Sequence, residues 1–326
     1  MKVLVAGGAG FIGSHLVREV RRRGHEVVIV DDFSTGRRAN LAELADDPGV
    51  RLIETDVQRT PSLAVDVILH LASPASPDDY DRLPLETLAA NSVGTWRLLD
   101  VARDAGATLT YTSTSEIYGD PLVHPQPETY WGNVDPVGPR AKYDEAKRFG
   151  EALITSYREV HRVRANIVRL FNTYGPNMRA DDGRAIPEIA SAALDGRPIP
   201  IHGDGSQTRS FCYVSDTVDA ILAVGLDRDA DGEILNIGNP HEITIRYLAE
   251  EIVRLTGSTS ALQFDPRRPG DPERRRPDIA AIQARYGWSP RVDLSTGLAR
   301  TIDGFAQART TPTMQAVVAA GWASGA

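Results

Sequence analysis

The first thirty-two residues leave this chain few ways to fold. Lys2 to Ala6 is a short apolar run, GGAGFIG follows from Gly7 to Gly13, and Leu16, Val17 and Val20 mark one face of a helix. Gly24 closes that helix, and Val27 to Val30 read as a second buried strand ending in Asp31 and Asp32. Strand, glycine-rich turn, helix, strand and acid in this order predict the first βαβ unit of a dinucleotide-binding fold. The glycines fit G-x-x-G-x-x-G as Gly7, Gly10 and Gly13, and also G-x-G-x-x-G as Gly8, Gly10 and Gly13. Either spacing lets the backbone, with Phe11 and Ile12, approach a pyrophosphate whose charge the helix N-terminus favours. Asp31 sits where a carboxylate accepts hydrogen bonds from an adenosine ribose, and its charge repels a 2′-phosphate. NAD is therefore expected over NADP, although Arg37 and Arg38 argue the other way.

Further alternation follows. Val50 to Glu54, Asp66 to Leu71, Leu109 to Ser113, Val163 to Leu170 and Ile234 to Ile237 read as strands, and Leu85 to Ala105 has helical apolar spacing. The spacing predicts an α/β fold: a doubly wound parallel (Rossmann) sheet with a smaller C-terminal mixed α/β region. Asp56, with Val57, follows the third strand and is a candidate contact for the adenine amino group. From Asn172 the chain changes character, with one helix at about Ile186 to Leu194. The stretch Asp265 to Pro277 is so rich in arginine and proline that composition alone reads it as a solvated loop. The segment from Arg309 is rich in small residues and is expected to be poorly ordered.

The chemistry is expected between Tyr111 and Lys147. Tyr143 and Lys147 are four residues apart, so a helix starting between Pro139 and Tyr143 presents both to one site. An ammonium beside a phenol stabilises the phenolate, which can then take a proton from an alcohol. The chain has 33 arginines but three lysines, so Lys147 is no routine surface charge.

Composition excludes several other roles. A net charge of −8 with a pI near 5.4 argues against nucleic acid or an anionic membrane as partner. The one cysteine, Cys212, allows no intrachain disulfide, and the scattered histidines give no metal-ligand spacing. No signal peptide or membrane-length apolar run is evident, so a cytoplasmic location is expected.

Several longer motifs carry a family likeness: HLASPASP (70–77), TSTSEIYGDPLVHPQ (112–126), YWGNVDPVGPRAKYDEAKR (130–148), LFNTYGPNM (170–178), DDGR (181–184), GSQTRSFCYVSD (205–216), NIGNP and RRRPDI. With GGAGFIG and Y-x-x-x-K, the chain resembles the extended short-chain dehydrogenase/reductase superfamily acting on nucleotide sugars. Within it, the likeness is greatest to the UDP-glucuronate decarboxylases, over residues 1 to about 305. The resemblance implies a Thr114, Tyr143 and Lys147 triad. Thr114 bonds the sugar 4-hydroxyl, Tyr143 removes its proton, and the C4 hydride passes to NAD. Loss of carbon dioxide from the resulting β-keto acid, reprotonation at C5 and return of the hydride would convert UDP-glucuronate to UDP-xylose without net redox change.

Ser115 discriminates among relatives. The 4,6-dehydratases usually carry aspartate there, and two like charges about 4 Å apart cost about 4 kcal/mol at an effective dielectric of about 20. Serine spares the substrate carboxylate that repulsion and removes the acid a dehydration needs. Glu116 is expected to act near C5, and Arg275 to contact the substrate carboxylate or its pyrophosphate side, with Arg274 and Arg276 as neighbouring candidates. The resemblance gives Ser73, Pro74, Ser76, Asn172, Arg184, Gln207, Arg209 and Tyr213 to the nucleotide sugar, and Asp32, Leu71, Ala72 and Asn91 to the cofactor.

The resemblance also implies a homodimer formed through about Leu85 to Ala105 and Ala141 to Val160. Its expected division gives 1–171 plus about 214–238 to NAD, about 172–213 and 239–308 to the nucleotide sugar, and 309–326 to a tail. The alternatives are a nucleotide-sugar 4-epimerase, whose loop usually lacks the Ser-Glu pair, a 4,6-dehydratase, and a non-catalytic NAD-binding sensor. A sensor would not need Thr114, Tyr143 and Lys147 together.

Overall fold

A computed structural model describes residues 1–267 and 273–310. It opens with β1 (Lys2–Ala6), α1 (Phe11–Arg22), β2 (Glu26–Asp31), β3 (Val50–Glu54) and β4 (Val67–His70). Next come α2 (Pro77–Arg82), α3 (Pro84–Ala89), α4 (Thr95–Ala105), β5 (Thr108–Thr114), α5 (Ala141–His161) and β6 (Ala165–Leu170). The later elements are β7 (Thr173–Tyr174), α6 (Ala185–Leu194), β8 (Ile199–His202), β9 (Thr208–Ser210), β10 (Cys212–Tyr213), α7 (Val214–Gly225) and β11 (Ile234–Ile237). The chain closes with β12 (Glu242–Thr244), α8 (Ile245–Thr256), β13 (Leu262–Asp265), β14 (Arg274–Arg275), α9 (Ala280–Tyr286) and α10 (Leu294–Thr310).

Seven strands form one sheet in the order β11-β6-β5-β4-β1-β2-β3, and every pairing in it is parallel. The sequence dictates this by making both faces of the strands apolar. Val3, Val5, Val27 and Ile29 pack into one core with α1 and α7, while Leu4, Ala6, Val28 and Val30 pack into another with α4 and α5. Successive residues of a strand point to opposite faces, so a continuous apolar run demands cover on both sides. The chain runs outward from β1 in one direction through β3 and in the other through β4, leaving a crevice at the carboxyl ends of β1 and β4.

Small sheets, β7 with β10, β12-β9-β14, and β8 with β13, come from the later segments and stand beyond those carboxyl ends. Two expectations change here. The helix expected from Leu85 to Ala105 is α3 and α4 joined by a π-helical turn over Ala90–Gly94. Asn91, at that turn, is fully buried. The Asp265 to Pro277 stretch is not simply a solvated loop: Arg274 and Arg275 form β14 on β9, and Arg275 is 3% exposed. Composition cannot reveal this, because the pairing strand and the carboxylate that neutralises Arg275 lie far away in sequence. Residues 268–272 of that stretch, and residues 311–326 of the expected tail, lie outside the described residues.

Beneath the site, Arg169 on β6 donates two hydrogen bonds to Glu151 on α5, at 3.0 and 2.8 Å, and Ser113 on β5 donates to the same carboxylate. Both side chains are almost wholly buried, at 9% and 13% exposure. Breaking such a pair leaves a buried charge uncompensated, so Arg169→Met is expected to lower stability by about 3–5 kcal/mol. Urea unfolding of wild type and variant measures this, and a loss below about 1 kcal/mol would overturn the assignment.

Candidate functional site

The turn after β1 is built for a close approach by a ligand. Gly7 has φ +82°, and a Cβ there would lie 2.7 Å from the Ala72 backbone nitrogen. A Cβ on Gly13 would lie 2.0 Å from the Gly7 carbonyl oxygen, and Gly10 N–H donates to that same oxygen. Gly7, Gly10 and Gly13 all line the main cavity. Gly8 instead lets α1 pack on the sheet, since its Cβ would strike Ile29. The first of the two spacings is therefore the ligand-facing one.

At the end of β2, Asp31 accepts from Ala9 N–H at 2.8 Å and from Phe33 N–H at 2.9 Å. Burial raises its pKa to about 6 against the help of those two donors. Arg38 is bound to Glu54 and lies over the Phe33 ring, and Arg37 meets Asp181. Both arginines thus have carboxylate partners. Asp31 and Asp32 share a smaller cavity with Asp56, Val57, Leu71, Ala72, Ser73 and Pro74. Asp56 also accepts from Gln58 N–H.

The main cavity, of about 630 Å³, is on the scale of a small-molecule site. Thr114, Ser115, Glu116, Tyr143, Lys147 and Arg275 all open onto it, as do Phe11, Ile12, Ser76, Asn172, Arg184, Gln207 and Arg209. Two expected residues do not reach either cavity. Asn91 lies behind the wall, where it donates to the Ser73 hydroxyl and accepts from Tyr111. Tyr213 packs edge-on to Tyr174 in the core, and Phe211 supplies the aromatic wall instead.

β5 delivers Thr114 at its carboxyl end, and α5 delivers Tyr143 and Lys147 one turn apart. Lys147 Nζ donates to the Thr112 carbonyl at 2.8 Å and lies 5.9 Å from the centre of the Tyr143 ring. Burial lowers the lysine pKa to about 7, partly offset by Glu151. Burial raises the Tyr143 pKa, and the hydrogen bond with Thr114 opposes it. Tyr80 stacks on Tyr143 with ring centres 5.3 Å apart. Nothing in its sequence setting, SPDDYDR, marks it for that place.

Glu116 lies between two guanidinium groups, pairing with Arg275 and with Arg140. Burial alone would raise its pKa, but the two arginines override that and hold it well below the usual carboxylate range. Arg275 also donates to the Gly119 carbonyl at 3.0 Å, so its head is turned to the protein. Arg275 also lines the main cavity, as expected of a residue near the substrate. Sequence reasoning passed over Arg140, although R-x-x-Y-x-x-x-K from 140 to 147 places it on the face of Tyr143 and Lys147.

A parallel sheet with a glycine cradle at its crevice and a Thr-Tyr-Lys set opposite defines a nucleotide-cofactor enzyme that works on a hydroxyl. The profile of the NAD dependent epimerase/dehydratase family matches residues 3–238, and the chain belongs to that family. It is 44% identical over 305 residues to UDP-glucuronic acid decarboxylase 1 of Arabidopsis thaliana, covering 94% of this chain and 70% of that one. The protein of the same name from Danio rerio is 45% identical over 306 residues, covering 94% and 73%. Among solved structures, UDP-glucuronic acid 4-epimerase from Bacillus cereus, with UDP-glucuronic acid and NAD, is similar with a TM-score of 0.86 and 28% identity, covering 94% and 100%. A dTDP-glucose 4,6-dehydratase from Streptomyces venezuelae, with NAD and TYD bound, gives 0.86 at 30% identity, covering 95% and 98%.

The glycine cradle fits NAD because its surface is backbone, with no room for side chains. A Cβ at Gly13 must displace the Gly7 peptide, and such backbone strain costs on the order of 1–3 kcal/mol. Gly13→Ala is expected to weaken NAD binding by roughly tenfold or more, read by calorimetry. Unchanged NAD affinity would show that this turn is not the cofactor cradle.

Proposed function

We propose that the chain decarboxylates UDP-glucuronate to UDP-xylose through a 4-keto sugar, with the cofactor retained. One observation carries the reading: where Thr114, Tyr143 and Lys147 meet, the cavity also presents Ser115 and two guanidinium groups, Arg140 and Arg275, on either side of Glu116. That arrangement tolerates a carboxylate on the sugar. Relatives named UDP-glucuronic acid decarboxylases, 44 to 45% identical over 94% of the chain, support it.

NAD, when bound, supplies a hydride acceptor and then a donor at C4. Thr114 orients the 4-hydroxyl, and Tyr143 takes its proton. Burial opposes both a Tyr143 phenolate and a Lys147 ammonium, so each charge is best tolerated beside the other. Once C4 is a ketone, the C6 carboxylate lies β to it. The C5–C6 bond breaks, carbon dioxide leaves, and the electron pair passes into the ketone to form an enolate. C5 then gains a proton, with Glu116 held ionised beside it and acting through water. Tyr143 returns its proton as the 4-hydroxyl is restored.

The same reading divides the labour. Residues 1–171 plus about 214–238 hold NAD through Gly7, Gly10, Gly13, Asp31 and Asp56. Residues about 172–213 and 239–308 hold the nucleotide through Asn172, Arg184, Gln207 and Arg209. It includes a homodimer, supported by Leu85, Val93 and Trp96 on one helical segment and Phe149 and Val160 on α5, all exposed. Lone apolar residues on a surface are ordinary, but a cluster on adjacent helices fits a subunit contact. A cytoplasmic location belongs to the reading too, supported by the enzyme's nucleotide cofactor. Among the described residues no helix is long and apolar enough to cross a membrane.

Incubation with UDP-glucuronate, followed by product mass, is expected to give a nucleotide pentose and carbon dioxide without stoichiometric NADH. A product of unchanged mass with inverted C4 would make the enzyme an epimerase, and steady NADH accumulation would sink the redox-neutral cycle. Tyr143→Phe is expected to cut turnover by about 10²- to 10⁴-fold while NAD still binds, the scale of a lost general acid–base. Trp96→Glu is expected to shift the protein to monomer in sedimentation, and an unchanged dimer would exclude this face.

A further inference from the structure

We propose that Glu151 is a positioning residue for the proton transfer: it locks the end of β5 to α5, and it supplies the negative charge that keeps the Lys147 ammonium protonated beside Tyr143. The inference rests on the Tyr143 and Lys147 pair of the proposed reaction, and not on which nucleotide sugar is bound.

Geometry comes first. Tyr143, Lys147 and Glu151 follow one another at i, i+4 spacing along α5, and each grips one of the last three residues of β5. Tyr143 is hydrogen-bonded to Thr114, Lys147 donates to the Thr112 carbonyl, and Ser113 donates its hydroxyl to Glu151. The helix lies hard on the strand at this height, since a Cβ at Gly150 would stand 2.5 Å from the Tyr111 hydroxyl oxygen. Ser113 is paired in register with Arg169 on β6, which holds the same carboxylate through Nε and Nη2. Arg169 directs Nη1 to the Tyr118 hydroxyl and the Glu128 carbonyl, at 3.0 and 2.8 Å. Glu151 is thus the junction of α5, β5, β6 and the segment that follows Glu116.

Charge follows. Lys147 is buried, and the titratable groups that face it are Tyr143 and Glu151 on its own helix, Tyr111 on β5 and His70 on β4. Burial keeps the phenols of Tyr111 and Tyr143 protonated. Burial first, and then the ammonium charge, lower the His70 pKa to about 3, so its ring is neutral. Among the described residues Glu151 is therefore the carboxylate that opposes the cost of burying the Lys147 charge. It stands one turn from Lys147 and two from Tyr143, so it acts on the ammonium more than on the phenol.

The consequence is specific because Tyr143 and Lys147 titrate as a pair. Loss of one proton from the pair leaves either two neutral groups or a phenolate beside an ammonium. In the proposed reaction only the second form can take a proton from the sugar hydroxyl. A negative charge next to Lys147 favours that form. Without it the pair releases its proton at lower pH, and the proton that stays sits on the phenol oxygen.

The chain has three lysines, so carbon-13 labelling of lysine gives few enough side-chain NMR signals to follow Lys147 by itself, assigned by its loss in Lys147→Met. The test is the pH titration of that signal in the NAD-loaded enzyme, together with the pH profile of kcat on UDP-glucuronate. Glu151→Gln is expected to lower the Lys147 midpoint by about half to one pH unit and to carry the acid limb of kcat down with it. The plateau of kcat is expected to fall by roughly three- to tenfold, the same energy read as population of the active form. Ser113→Ala removes the grip on β5 but keeps the carboxylate, and is expected to leave the midpoint in place. If Glu151→Gln fails to fold because Arg169 has lost its counter-charge, the double variant Glu151→Gln with Arg169→Gln decides, with the same downward shift expected. An unmoved midpoint in a folded variant, an equal shift in Ser113→Ala, or loss of folding in the single and double variants alike would overturn the proposal. Wild type that leaves UDP-glucuronate unchanged removes the decarboxylase reading, while the lysine titration still decides this one.

Discussion

One ammonium group ties the sheet to the helix on which the chemistry depends. Lys147 reaches from α5 to the Thr112 carbonyl at the carboxyl end of β5, fixing the helix against the strand that carries Thr114. Removing an amine from water disfavours its charge, which is why its pKa falls to about 7. The Tyr111 ring face at 4.8 Å and the Glu151 carboxylate return part of that loss. Glu151 in turn is held by Arg169 and Ser113. The proposed reaction needs a phenolate next to that ammonium. The reaction so proposed asks two groups that each resist ionising alone to ionise side by side.

The charge row from Arg275 through Glu116 to Arg140 works on the opposite principle. Here burial is overruled by opposite charges on both sides, which hold the Glu116 carboxyl well below the usual carboxylate range. A carboxylate held so firmly is a poor direct proton donor, which is why its role is placed through water. An aspartate at position 115 would have added a second anion beside this one. Serine there, buried at 2% exposure, adds no such charge.

Much of this was legible in the chain, for local reasons. The parallel sheet announced itself because strands apolar on both faces need two helical layers, and Val27 to Val30 or Asp66 to Leu71 can be read no other way. Gly7, Gly10 and Gly13 were legible as a set, but which glycine starts the motif was not. That depends on Ala72 and Ile29, which come close only in the fold. Arg275 was found by motif, yet its partner, Glu116, stands 159 residues away, and no local pattern announces that pairing. Asn91 was placed at the cofactor, but the π-helical turn buries it behind Ser73. Tyr80 carried no signal at all. Its contact with Tyr143 comes from α2 folding across the cavity, a relation no periodicity encodes.

The likeness to both an epimerase and a dehydratase, each at a TM-score of 0.86, has a physical reading. In the proposed reaction the cofactor cradle and the Thr-Tyr-Lys set serve the removal and return of hydrogen at C4. They are indifferent to what happens at C5 and C6 between those two events. That choice falls to the few side chains beside the sugar's far edge. In this chain the cavity beside Thr114 and Tyr143 presents a serine and a glutamate held between two arginines. In the proposed reaction Ser115 cannot act as the acid that expels a hydroxyl, and the arginines balance negative charge until the C5–C6 bond breaks. Once a 4-ketone forms, loss of carbon dioxide needs no further catalyst than the ketone itself. The site's task is then to keep the sugar, its enolate and the cofactor in place until C5 is protonated and hydrogen returns to C4.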